Sequence, residues 1–434
     1  MFISDCLSVN GAGHLTVGGL DTVELAREYG TPLYIMDEEY IRSTCRAYKS
    51  ALREGFGSDR NVVAYASKAF CCAYMYRILK EEGCGADIVS GGELYTAIKA
   101  GFPADRLFFH GNNKTDEELE MALRYQVGRI IVDNREELIR LDSLARKYGK
   151  IAQIIFRINP GIDAHTHQFL QTGQIDSKFG VPIETGEAYE LIKDSLKYDN
   201  LKLAGVHCHI GSQIFDSEPF YLAAKKLMEF VAKIRDELGY EISDIDIGGG
   251  FGIKYLPSHD PKTPAENLRA ASEAIKKAAA EHRLSIPRVI IEPGRAIVGP
   301  AGVTVYKVGS VKEIRNVRTY VSVDGGMSDN PRYALYGSEY EVLSAANADG
   351  PRAMLCTVAG KCCESGDIIA KDVLIQKVKP GDFLAVLTTG AYNYSMASNY
   401  NRNPRPPVVM VRNGKANVAV KRESYDDLIH NDVF

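Results

Sequence analysis

In the stretch VVAYASKAF, residues 62–70, a lysine stands directly after a short apolar run. Lys68 admits two readings. Lysines are almost never fully buried without a partner, so a solvated amine is the ordinary one; the other is an amine held in a pocket to attack a carbonyl. Three further apolar runs end in residues of chemical interest. LAGVHCHIG (203–211) leads through His209 to Ser212, DIDIGGG (244–250) ends in Gly248, Gly249 and Gly250, and RVIIEPG (288–294) passes Glu292, Pro293 and Gly294 before Arg295. Consecutive glycines let backbone N–H groups approach an anion without interference from Cβ. Alone they make an ordinary turn, but Ser212 and the turn at 292–295 add donors for a phosphate. A phosphate pocket beside a lysine able to form a Schiff base points to pyridoxal 5'-phosphate, whose ring needs a partner at its pyridine nitrogen and a flat cover. Glu292 fits the nitrogen: a carboxylate there keeps the ring protonated and strengthens the electron sink that decarboxylation requires. The alternative is a glutamate capping a turn. His209 fits the cover, or is a core histidine. His207, Cys208 and His209 crowd together as metal ligands would, yet strand alternation sends Cys208 to the opposite face from the two histidines, and no metal is expected.

These residues must be positioned by the elements that precede them. Eight largely apolar runs, VVAYA (62–66), ADIVS (86–90), RLFFHG (106–111), RIIVD (129–133), AQIIFRI (152–158) and the three above, are separated by stretches of helical period such as 137–149 and 220–239. That is the pattern of an α/β fold closed into a (β/α)8 TIM barrel, in which active sites gather at the C-terminal ends of the strands. An open doubly wound sheet would be expected to carry a glycine-rich phosphate turn after its first strand, and SKAFCC has no glycine. From about residue 301 the texture changes to alternating strands without intervening helices, a second, C-terminal β-barrel or sandwich domain. The opening segment, with GHLTVGGL and TPLYIM, reads as strand and turn and is placed with it. The expected division is a barrel over 36–300 and a β domain over 1–35 and 301–434.

Composition narrows the function classes. The 434 residues exceed the roughly 250–300 at which single cores stop growing, so two domains are expected. With 45% hydrophobic and 25% charged residues the chain is an ordinary globular one, and a net charge of −4 provides no broad basic field for nucleic acid. A small-molecule partner is the expectation. The first residues lack the basic and apolar regions of a secretory signal, and no apolar run approaches the roughly 18 residues of a membrane span. The nine cysteines, without any C-x-x-C spacing, read as reduced thiols of a cytoplasmic protein.

Taken together the chain resembles the diaminopimelate decarboxylase family, fold type III (alanine-racemase-like) pyridoxal phosphate enzymes, over almost its full length. YASKA, FHGNNKT, INPGIDAHTH, TGQIDSKFGV, HCHIGSQ, DIGGGFG, EPGRAIVGPAG, DGGMSDNPRYALYG, CESGD, TGAY and MASNYNRNPRP occur in the family's order. The resemblance implies that Lys68 holds the cofactor as a Schiff base, that His209 stacks on its ring and that Glu292 pairs with the pyridine nitrogen. It implies phosphate contacts from Ser212, Gly248–Gly250, the Glu292–Arg295 turn and Tyr392. Substrate contacts are implied from Arg295, Arg332, Tyr336 and Tyr392, with Glu364 facing a distal amine, and Cys363 as the proton donor. The implied assembly is a homodimer with active sites at the subunit interface, where Cys363 and Glu364 reach the pocket of the other subunit. The implied reaction is decarboxylation of meso-2,6-diaminopimelate to L-lysine and CO2, the last step of lysine biosynthesis.

Two departures stand out. The family usually has a proline two residues before the donor cysteine, where this chain has Lys361, with Cys362 adding a second thiol; Lys361 is expected to point to solvent. Tyr333 stands where the family commonly has proline. The nearest rival keeps the chemistry and changes the substrate to ornithine, lysine, arginine or carboxynorspermidine; arginines facing a distal amine would be left unpaired, which argues against it. A racemase is disfavoured by Glu292, which suits a strong electron sink, and a non-catalytic binding homologue by the joint presence of Lys68, Glu292 and Cys363; a cofactor-free Schiff-base aldolase is a third alternative, which a cofactor absorption band would exclude.

Overall fold

The computed structural model describes residues 2–162 and 177–433. The motifs at 158–167 and 172–181 therefore lie partly outside the described residues. By its internal contacts the chain divides into two units, one of Thr44–Gly252 and Pro261–Gly294, the other of Met1–Ser43, Ile253–Asp260 and Arg295–Phe434.

The first unit is built on eight parallel strands: β1 (Val62–Ala66), β2 (Gly85–Ile88), β3 (Leu107–Phe109), β4 (Arg129–Val132), β5 (Ala152–Asn159), β6 (Leu201–His207), β7 (Asp244–Asp246) and β8 (Arg288–Ile291). Each pairs with its sequence neighbour and β8 pairs with β1, so the sheet closes. This is the barrel expected, and closure excludes the open sheet. The intervening segments are helical because they offer apolar stripes to the barrel, and several also carry a start signal. Thr115 caps Asp116–Tyr125 and Thr263 caps Pro264–His282, each in a reciprocal box with a glutamate three residues on.

Strand alternation then sets what fills the barrel. Ala64, Phe108, Ile131, Ile155, Ala204 and Ile290, from six strands, form one buried apolar cluster. Two residues earlier along β4 and β8, Arg129 and Arg288 both donate to the Oδ2 of Asp244 on β7, at 2.8 and 2.6 Å, and staple the N-terminal end. Two residues later than the cluster, on the same faces, stand His110, Asp133, Arg157 and Glu292. The apolar layer is thus followed, at the end where active sites form, by a layer of titratable groups.

In the second unit the strand Leu33–Asp37 is hydrogen-bonded between Gly302–Ile314 and Val408–Arg412. Its Leu33 and Ile35 share a core with Leu15, Val17, Val303, Val305, Leu387 and Val409. Gly302–Ile314 is buried over its first half and exposed over its second, and Arg318–Val323 takes up pairing with that second half. Helices are not absent here, contrary to the reading from pattern. Thr22–Tyr29 follows the N-cap Asp21, and the short Arg332–Tyr336, Asn393–Met396 and Tyr425–Ile429 interrupt the strands. Segments of four or five residues are too short to show a helical period. No described helix is long and apolar enough to cross a membrane.

Candidate active site

In the barrel unit, β1 runs into a single 3-10 turn, Ser67–Ala69, that ends the strand and leaves Lys68 exposed while both of its neighbours are buried. His209 lies two residues beyond β6, and the N–H of Gly249 donates to its Nδ1 at 3.3 Å. That bond makes Nδ1 an acceptor and fixes the ring. Burial, then the ammonium of Lys68, hold His209 well below the ordinary histidine range, so the imidazole is neutral.

The glycines have a second duty besides approach to an anion. A Cβ on Gly249 would run into the carbonyl of Glu292, and one on Gly250, at φ +99°, into that of Gly211. The turn is thus glycine-rich because β6, β7 and β8 converge too closely for side chains. The Gly248 N–H turns back to Asp246 Oδ1 at 2.9 Å. Gly250 and Ser212 are half-buried, and Pro293 and Gly294 are buried, at the same end of the barrel.

Glu292 is buried between two histidines: its Oε1 lies 2.7 Å from His110 Nε2 and its Oε2 3.2 Å from His207 Nε2. Burial alone would push Glu292 up, but His110 and then His207 bring it well below the usual carboxylate range. His207 itself falls to about 4, because burial outweighs the pull of Glu292. Around this ionised group burial raises Asp246 well above, and Asp87 above, the usual range, the charge of Glu292 adding to both shifts. His110, His207, Asp246 and Glu292 also bring metal-type donor atoms within 4.8 Å of one another. His207 Nε2 is hydrogen-bonded to Glu292 Oε2, and His110 Nε2 meets Oε1 as a close contact only, so one of the four groups is already committed within the protein.

The second unit gathers the residues expected to meet the substrate, apart from the loop of Cys363 and Glu364. Arg295 is buried, donates from Nη1 to the Tyr255 hydroxyl at 2.7 Å and lies 4.8 Å from the centroid of the Tyr392 ring. Arg332, also buried, lies 5.2 Å from the same ring and 5.1 Å from that of Tyr336, which is exposed. The Nε of Arg332 is buried without a hydrogen-bond acceptor among the described residues. Tyr392 takes a left-handed conformation, φ 68°, at the start of Asn393–Met396. Cys363 and Glu364 lie exposed on the loop after Arg352–Ala359; Cys362 is buried and Lys361 exposed.

Sequence reasoning missed the partners: His110, Asp87 and Asp246 around Glu292, His207 in any role but a metal ligand, and Tyr255 against Arg295. For the first group a signal existed, because each lies two residues past an inward position on its strand.

The barrel set fits pyridoxal phosphate on its own geometry: an exposed amine at a strand end, a neutral imidazole fixed by a backbone N–H, and a carboxylate kept ionised in a buried layer. These define a pyridoxal-dependent barrel enzyme. A family model described as the pyridoxal-binding domain of pyridoxal-dependent decarboxylases matches residues 38–299. The chain is 47% identical to the diaminopimelate decarboxylase of Bacillus subtilis, covering 100% of this chain and 98% of the relative. It is 48% identical to that of Halalkalibacterium halodurans over the same shares. The solved diaminopimelate decarboxylase of M. jannaschii in complex with L-lysine superimposes with a TM-score of 0.92 at 37% identity, covering 100% of this chain and 99% of that one. The chain belongs to the diaminopimelate decarboxylase family.

Proposed function

We propose that the chain decarboxylates meso-2,6-diaminopimelate to L-lysine and CO2 as the closing step of lysine formation, using pyridoxal 5'-phosphate. The observation that carries the substrate assignment is Arg332, a buried guanidinium 5.1 and 5.2 Å from two tyrosine ring centroids, whose Nε has no acceptor among the described residues. A planar fork in that state calls for a carboxylate, which diaminopimelate keeps at its far end and ornithine does not have. The relatives' names and the lysine complex support the same reading.

When bound, the cofactor supplies the sink for the electron pair left on the α carbon as CO2 departs. The chain's residues do the rest. Lys68 Nζ would hold the cofactor through its aldehyde carbon. Neutral His209 would cover its ring and exclude water. Ionised Glu292 would hold a proton at the heterocyclic nitrogen. Ser212, Gly248–Gly250, the Glu292–Arg295 turn and Tyr392 would bind its phosphate. Arg295, Arg332, Tyr336 and Tyr392 bind the substrate, and Glu364 faces its distal amine. Cys363 Sγ–H returns a proton to the α carbon. The exposure of Cys363 and Glu364 supports their service at an interface, in a homodimer where they reach the partner's pocket. Nine free thiols support a cytoplasmic setting.

The test is CO2 release from meso-diaminopimelate, ornithine and lysine offered separately to the pyridoxal-loaded enzyme. Turnover of the first is expected; turnover of ornithine alone would overturn the assignment.

A further inference from the structure

The loop bearing Cys363 hangs on one carboxylate that the proposed mechanism does not use. Asp367 is 2% exposed. Its Oδ2 accepts the N–H of Cys362 at 2.7 Å and its Oδ1 the N–H of Met327 at 2.6 Å. The main chain closes around it: the Asp367 N–H reaches Glu364 O at 3.1 Å, the Gly360 N–H reaches Asp367 O at 2.9 Å and the Lys361 N–H reaches Gly325 O at 2.8 Å. A Cβ on either Gly326 or Gly360 would collide with the Asp367 carboxylate, so two glycines make the slot that holds it. From the other side the Cys363 N–H donates to Asn401 Oδ1 at 2.7 Å. The N–H groups of Cys362 and Cys363, on two successive peptides, are therefore both held, while the Cys363 side chain stays exposed.

We propose that Asp367 is the positioning residue for proton return, its carboxylate fixing the Lys361–Cys362 peptide against the 325–330 turn so that the Cys363 thiol is held in one orientation. An ionised aspartate accepts both N–H groups at once. An asparagine accepts one and turns an NH2 donor toward the other, leaving a buried N–H unpaired. This rests on the reading of Cys363 as the proton donor, and the experiment separates the two.

The test is a double-mutant cycle on the holoenzyme with meso-diaminopimelate: Asp367→Asn, Cys363→Ala and the pair together, with Gly360→Ala as a second way to expel the carboxylate. Asp367→Asn and Gly360→Ala are each expected to lower kcat at least tenfold with KM changed less than threefold. In the Cys363→Ala background neither is expected to lower it further. Multiplicative losses in the double variants, an unchanged kcat in Asp367→Asn, or loss of cofactor-bearing soluble protein in both single variants would each overturn the proposal in favour of a structural role. Full activity of Cys363→Ala would overturn the donor reading beneath it.

Discussion

His110 presents its Nε2 to Glu292 Oε1 at 2.7 Å, with both side chains buried inside the barrel. The contact exists because Phe108 and Ile290 point inward on β3 and β8, so the residues two further along must as well. Its consequence is electrostatic: among the neighbours of Glu292, His110 contributes most to keeping it ionised. Replacing His110 by leucine removes the nearest polar partner of a buried carboxylate, at a cost of about 1–3 kcal/mol. We expect kcat to fall roughly tenfold to a hundredfold, with the acid limb of the kcat profile moved to higher pH because Glu292 takes up a proton more readily. A profile that keeps its acid limb would show that His110 does not hold the carboxylate.

The same layer marks what the sequence could and could not disclose. The barrel was legible because strands covered on both faces are continuous apolar runs and the segments between them have helical period. Lys68, His209 and Glu292 could be singled out because each follows such a run. His110 and Asp87 lie inside or at the edge of runs that read simply as strand; alternation turns them inward, and closure of the sheet brings both to Glu292. In the second unit, Arg332 and Tyr336 at i and i+4 could have been a surface pair. Burial of Arg332 depends on Tyr392, sixty residues away in the chain, which no local pattern encodes. The clamp by Asp367 was hidden for the same reason: its second contact, Met327, is forty residues distant.

His207 gives the fold a pH dependence whose sign can be worked out. Its value of about 4 in the folded chain lies below the ordinary 6.5, so between those values the unfolded state binds the extra proton. The contribution of a neutral, buried His207 is complete above about pH 6.5 and is lost as pH falls toward 4, by about 3 kcal/mol at 1.36 kcal/mol per unit. Asp87 and Asp246, raised by burial, act in the opposite sense, so the measurement is a comparison. On acidification from pH 7 to 4 the wild type should lose more denaturant-derived stability than His207→Gln. Parallel losses would contradict a neutral His207.

Lys114 is a structural prediction in a motif that carries family resemblance. Its Nζ lies 2.7 Å from Glu137 Oε1 and donates to the carbonyls of Gly111 and Ile131 at 2.8 Å each, all well inside the protein. It ties the turn after His110 to β4 and to the helix Arg135–Tyr148. Burial lowers Lys114 and raises Glu137 despite their pairing, which shows how much desolvation each bears. Lys114→Met should destabilise by about 3–5 kcal/mol by leaving a buried acid unpaired, and adding Glu137→Leu should recover much of the loss. Thermal unfolding of the two variants checks both expectations.

Arg332 and Arg295 both lie beside the Tyr392 ring, and Arg295 is in addition held from Nη1 by the Tyr255 hydroxyl. If Arg332 receives a substrate carboxylate through a two-point fork, lysine cannot replace it, since an ammonium is a point charge without the planar geometry or the stacking surface. Arg332→Lys should raise KM for meso-diaminopimelate roughly tenfold to a hundredfold, the equivalent of about 1.5–3 kcal/mol. Because the far carboxylate is not at the reacting carbon, kcat should move much less. The paired measurement is selectivity: the ratio of kcat/KM for diaminopimelate over ornithine should collapse toward one. A variant that keeps this ratio would place recognition of the second carboxylate elsewhere, with Arg295 the first residue to substitute next.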